Sequence, residues 1–345
     1  MRKRLSSRLI VVFLLSTFIL SLSAVAVAAA NNSDDQLVFG YIAWKRSDVW
    51  NNYSIKAFNY AAEQKGVKTV VRDPSADPQQ ALAALEDMIN MGVDGISVFT
   101  ITPELDATMA RKANEAGIPI TFENSLPAEG DYDYISTVAC EYSRIGYAAG
   151  EYISKNYPGS KLFYVMGAPG MGITNRYQEG LHAALEDYDT VELVATQPTD
   201  WGAEKALNVT QNVIQSGKEF DVIFANNEQM ASGVVRALKD AGMFGEIPII
   251  ATGGGPPGLE MIREGQIEAT MSAPVSIQGL VTFKNLWRAV ECGQSEDRIS
   301  KFTPVPVIPI TQENVDRAIS WDVDERAVDF IGGLDCDNWC DCALE

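Results

Sequence analysis

The chain has 345 residues, 46% of them apolar. That is too apolar for a disordered chain and long enough for two lobes with cores of their own. The formal charge is -19, and losing the first thirty residues, which hold four bases and no acid, would move it to about -23. Such a surface argues against nucleic acid, whose phosphates need Lys and Arg, and against docking on anionic lipid.

The chain opens on a basic stretch, "MRKRLSSR", then an apolar run, "LIVVFLLSTFILSLSAVAVA", then small residues at A-x-A spacing. This reads as a secretory signal peptide over residues 1–30, cut between Ala26 and Ala30, and it implies export to the periplasm. The alternative is an uncleaved anchor, since the run is long enough to span a bilayer. No cysteine lies near this end, so a lipid anchor is not expected there.

From Leu37 onward, short apolar runs alternate with helical patterns. Strands are expected at Leu37–Ile42, Lys68–Arg72, Gly95–Phe99 and Ile118–Glu123. Between them lie helices over Asn52–Gly66, Asp77–Gly92 and Pro103–Gly117, the second opened by Asp77 and Pro78 as cap and first-turn residue. The rhythm restarts near Cys140. Helices are expected over Tyr142–Asn156, Asn175–Tyr188, Trp201–Gly217, Glu228–Gly242 and Pro256–Gly265. The strands of this half are Lys161–Gly167, Thr190–Thr196, Asp221–Ala225, Ile247–Thr252 and Ile267–Ser272. Alternation of this kind means parallel sheets with helices on both faces, and the restart means two of them. The fold class is therefore α/β, with two doubly wound parallel-sheet lobes and no low-complexity linker between them.

Five cysteines occur, and Cys336, Cys340 and Cys342 crowd into "DCDNWCDCALE". The acids between them hint at a metal, but no histidine lies near and a fourth cysteine ligand is missing. A disulfide-tied tail is the simpler reading in an oxidising compartment, with one cysteine of the odd total left over. No metal and no cofactor is expected.

In open parallel sheets, ligands sit outside the carboxyl ends of the strands. The first strand is followed by Trp44, Trp50, Asn51 and Asn52, the second by Asp73, the third by Thr100, the fourth by Glu123 and Asn124. In the second half come Asn175 and Arg176, then Trp201, then Asn226 and Asn227, then the bare loop around Gly254. Amides, carboxylates and guanidinium between indoles suit a carbohydrate, whose hydroxyls donate and accept together and whose C–H faces pack on aromatic rings. Any one of these residues alone could be a helix cap; recurrence at successive strand ends carries the reading. Of the adjacent pair, Asn226 is expected to cap the following helix and Asn227 to bond the solute.

Catalysis is poorly supported. The single histidine, His182, sits mid-helix, and neither G-x-S-x-G nor H-E-x-x-H occurs. "GAPGMG" and "TGGGPPG" lack the lysine and hydroxyl of a phosphate loop, and turn geometry explains them better.

The stretches "GVDGISVFTITPELDATMARKANEAGIPITFEN", "RYQEGLHAAL" and above all "FDVIFANNEQMASGVVRALKDAG" followed by "IPIIATGG" resemble the periplasmic sugar-binding proteins of ABC transporters, of the ribose-binding type (type I). The resemblance runs from about Leu37 to about Pro309. It implies two lobes joined by three chain crossings, near Ala139–Glu141, Ala273–Pro274 and Phe302–Val305. The first lobe would then hold residues 36–140 and 274–303, and the second 141–273 and 304–345 with the cysteine-rich tail. It further implies a monomer that closes on a monosaccharide or polyol and delivers it to an ABC permease, without chemistry. A sensor presenting a sugar signal to a membrane receptor is the main alternative, and an exported enzyme a remoter one.

By position, the family's stacking aromatics fall on Trp50, with Trp44 a second candidate, and on Trp201; its carboxylate falls on Glu123 and its amide on Asn227. Asn124 stands where the family has an arginine, Asn175 where it has another, with Arg176 one place on. Gly253–Gly255 replace an aspartate, and Ala273 a glutamine. The missing charges point away from ribose itself, toward another sugar, a polyol or a bulkier solute.

Overall fold

The computed structural model describes residues 36–100, 102–170, 172–295, 297–334 and 339. The expected signal segment and Cys336, Cys340 and Cys342 lie outside the described residues.

The described residues form two six-stranded sheets. The first contains β1 (Val38–Ile42), β2 (Lys68–Arg72), β3 (Gly95–Phe99), β4 (Ile120–Glu123), β5 (Thr137–Ala139) and β11 (Phe302–Pro304), in the order β11-β5-β4-β3-β1-β2, all parallel. The second contains β6 (Lys161–Met166), β7 (Glu192–Pro198), β8 (Val222–Ala225), β9 (Ile249–Gly253), β10 (Ala269–Ser272) and β12 (Ile308–Thr311), in the order β12-β10-β9-β8-β6-β7. Here β12 runs antiparallel to β10, while the other pairings are parallel. The strand order reverses between β1 and β3 in one sheet and between β6 and β8 in the other, so each sheet has a switch point there.

Among the described residues, ten helices accompany these strands: α1 (Val49–Gln64), α2 (Pro78–Met91), α3 (Pro103–Ala116), α4 (Tyr142–Asn156), α5 (Gly172–Tyr188), α6 (Ala203–Gln215), α7 (Glu228–Ala241), α8 (Pro256–Arg263), α9 (Val275–Cys292) and α10 (Glu325–Phe330). Their ends follow sequence chemistry. Asp77 caps α2 by accepting from the Gln79 and Gln80 amides, Pro78 fills the first turn, and Gly92 ends the helix in the left-handed conformation. The first helix begins earlier than periodicity indicates, because Asp48 accepts from the Asn51 amide and caps it at Val49. Asn51 and Asn52 therefore belong to a helical turn and not to a free loop.

Each lobe has its own core. Ile42, Leu85, Ile96, Val98, Met109 and Phe122 centre the first, and Phe163, Ile223, Val234, Leu238, Ile249 and Ile262 the second. Between the sheets the chain passes from β5 to α4, from β10 to α9, and from β11 to β12. The second passage hands α9 to the first lobe, where Gly279 lies against the Ser54 carbonyl of α1 with no room for a Cβ.

The last segment departs from expectation, which kept everything from residue 304 onward in the second lobe. Val315 and Ala318 do pack into the second core. Beyond them the chain returns to the first lobe. Lys284 of α9 donates to the Ile331 carbonyl at 2.6 Å, and Trp339 is fully buried, edge-on to Phe283 and Trp287 of α9. The physical reason is that a large apolar ring and a helix end find an apolar face and a buried ammonium on α9, neither of which local patterning reveals. Residues 319–324 thus make a fourth crossing.

Candidate functional site

A cavity of about 310 Å³ is lined from both lobes and the fourth crossing. Trp50 reaches it from the first turn of α1, Tyr142 and Tyr177 from α4 and α5, and Trp201 from the turn after β7. Trp321 comes from the crossing itself. Asn226, at the carboxyl end of β8, forms part of the floor.

Asn226 stands at the switch point of the second sheet. Its Oδ1 accepts from the Tyr164 hydroxyl at 2.8 Å and from the Gly167 amide at 2.9 Å, so it ties the end of β8 to the end of β6. Its Nδ2 is buried without a partner. Asn227 does the opposite: its Oδ1 accepts from the Met230 amide at 2.6 Å, capping α7, and its Nδ2 donates to the Trp201 carbonyl at 3.3 Å. The cap is therefore Asn227 and not Asn226. Asn227 has extended backbone angles, as a capping residue must, while Asn226 is the bend residue just past the end of β8.

Glu228, next in the chain, organises the glycine loop. Its Oε1 accepts from the Gly254 amide at 2.5 Å and from the Thr270 hydroxyl at 2.7 Å. Its carboxyl fills the space where a Cβ on Gly253 or Gly258 would lie, and Gly254 at φ 75° abuts Ser272. Burial pushes this acid up to about 7 against the lowering effect of those hydrogen bonds. "NNEQ" and "TGGGPPG" thus form one unit, and Gly254 serves it through its backbone.

Glu123 lies fully buried behind the site. It accepts from Tyr41 and from Gln278, each at 3.0 Å, and from Ser54. Burial raises its pKa, opposed by these donors. Gln278 in turn accepts from the Trp50 indole at 3.4 Å, so Glu123 positions Trp50 through one intermediary.

A neighbouring cavity of about 770 Å³ shares Tyr142 and Ile173 with the first and holds Asn124, Arg176, Glu141 and Glu179. Asn124 adopts φ 67°, a region asparagine tolerates, and accepts from the Tyr142 hydroxyl at 2.8 Å. Cys140, a free and buried thiol at the first crossing, lines it as well, with its pKa raised by burial. A third depression, of about 700 Å³, lies near the amino ends of β9 and β10, the wrong end for a ligand of such sheets.

Of the residues singled out by sequence, Trp50, Trp201 and Asn227 line the smaller cavity, and Asn124 and Arg176 the larger. Trp44, Asn51, Asn52, Asp73, Thr100, Glu123, Asn175 and Gly254 line neither. Asn51 is buried and accepts from the amides of Trp44 and Lys45, shaping the loop before α1. Asp73 accepts from the Ser75 amide, and Thr100 donates to Asp106 at 2.6 Å. Asn175 is exposed on α5. Tyr142, Tyr177 and Trp321 were missed. The tyrosines read as helix-face residues, and Trp321 follows the last strand in a stretch without periodicity.

A model of the periplasmic binding protein domain matches residues 39–295 of this chain. The chain belongs to that family. This periplasmic binding protein is 30% identical over 215 residues to the ribose import binding protein of Salmonella typhimurium, covering 61% of this chain and 70% of the relative. It is 27% identical over 277 residues to the xylitol-binding protein of Mycolicibacterium smegmatis, covering 79% and 76%. Among solved structures it is similar to an ABC transporter periplasmic solute binding protein from Actinobacillus succinogenes with bound D-allose, at 21% identity and a TM-score of 0.73, covering 82% and 100%. That likeness establishes the two-lobed type I fold for this periplasmic binding protein.

Proposed function

We propose that the protein captures a carbohydrate, a monosaccharide or polyol, between its lobes and delivers it to the permease of an ABC importer. The observation that carries this is the aromatic cavity shared by both lobes, at the carboxyl ends of β8 and β9 and against Trp50 of the helix that follows β1. Rings supply flat apolar faces for sugar C–H groups. Membership of a family whose relatives are named for ribose and xylitol supports the same reading. The protein works as an exported monomer freed of its first thirty residues, and it binds without performing chemistry. A thermal-shift screen of the mature chain against ribose, allose, xylose and xylitol tests this, since a ligand of the folded state alone raises its melting point. At least one sugar should shift the melt and be recovered unchanged. A flat screen across sugars and polyols, or recovery of an altered sugar, would refute it.

A further inference from the structure

The smaller cavity is poor in free hydrogen-bonding groups. The Trp50 indole N–H is held by Gln278, and the Trp321 indole N–H donates to the Gly253 carbonyl at 2.9 Å. The Tyr142 hydroxyl donates to Asn124. The Thr252 hydroxyl gives its proton to the Asn226 carbonyl at 2.8 Å, so the Tyr177 hydroxyl, 3.1 Å away, donates to Thr252. The rings of Trp50, Trp321, Tyr142 and Tyr177 therefore present carbon to the cavity with their polar ends engaged elsewhere. Asn227 is spent on the α7 cap and the Trp201 carbonyl. Among these side chains, Asn226 Nδ2 is the donor left unmet, and it is buried.

Trp321 matters most, because of its angle. Its ring stands 4.9 Å from that of Trp50 at 72°, and it also meets Tyr53 edge-on at 5.7 Å. Two indoles at nearly a right angle make an apolar corner. A sugar that lays its C–H face on one of them turns its rim, where hydroxyls project, toward the other. A hydroxyl there loses water and gains no partner, whereas a hydrogen or methyl group gains apolar contact. Trp50 lies within the residues 39–295 that match the family model and Trp321 beyond them, so one wall of the corner comes from the C-terminal segment.

We propose that the site selects a deoxy or C-methyl sugar, with Trp321 as the residue that sets the preference. This rests on the carbohydrate reading above. The test uses calorimetry on the full mature chain with sugar pairs differing by one hydroxyl: D-galactose and D-fucose, L-mannose and L-rhamnose, D-ribose and 2-deoxy-D-ribose. In at least one pair the deoxy member should bind about tenfold tighter or more. Trp321→Gln, which offers an amide to the missing hydroxyl, should narrow or reverse that ratio. Trp321→Phe, which keeps ring carbon at the corner, should retain the preference and controls for loss of fold. Equal or tighter binding of the hydroxylated members, or an unchanged ratio in Trp321→Gln, overturns the proposal and leaves the carbohydrate reading standing. Binding of no sugar in any pair overturns this proposal, while only a flat screen that includes the polyols overturns the carbohydrate reading beneath it.

Discussion

At the scale of single residues, the adjacent amides at the end of β8 show how one position along the chain changes a role. Asn227→Ala removes the α7 cap and should cost about 1 kcal/mol of stability in urea denaturation, with little loss of sugar affinity. Asn226→Ala leaves the Gly167 amide and the Tyr164 hydroxyl without their acceptor and should weaken binding about tenfold by calorimetry. Glu228 adds a pH dependence. Burial raises it from an ordinary value of 4.5 to about 7, and Asp106 from 3.8 to about 8. Each folded-state pKa lies above the unfolded one, so the stability each gives is full below the unfolded value and is lost as pH rises through the folded value. The melting temperature should fall between about pH 4 and about pH 8. Glu228→Gln should flatten the part below about pH 7 and recover about 3 kcal/mol at about pH 8. An unchanged pH profile in that variant would assign the slope to other groups.

At the scale of elements, buried strands were plain in the sequence because parallel strands covered on both faces are continuous apolar runs, as in "GISVF" and "VIFA". Helix starts were legible where a cap and proline coincide, as at Asp77 and Pro78, and less so at α1, whose cap Asp48 stands among other polar residues. The tail was not legible at all. Its attachment depends on α9, far earlier in the chain, offering Lys284 and the Phe283–Trp287 face. Cys292, at the end of that helix, is disulfide-bonded. Trp339→Ala should therefore destabilise the chain by about 3–5 kcal/mol in thermal or chemical unfolding. It should also speed proteolysis of the segment after α10. Unaltered stability would mean that the ring contributes no packing energy to the first lobe.

At the scale of the whole molecule, the site was half legible, and the reason is topological. The residues just past each strand include groups that the sheet delivers to the cleft, such as Trp50 and Trp201. Position after a strand does not distinguish a side chain that faces a ligand from one that holds the loop, which is why Asn51, Thr100 and Glu123 were included. It is blind to a group brought in by a segment with no strand before the cleft, such as Trp321. That segment has a mechanical meaning too. Three crossings permit a hinge, and the fourth is fastened on both sides: to the second lobe through Trp321 and the Gly253 carbonyl, and to the first through Ser276, which donates to the Ser320 carbonyl at 2.6 Å. For the lobes to part, one of these fastenings must let go or the slack of residues 319–324 must be drawn out. With both fastenings intact, the length of the segment limits how far the lobes can part.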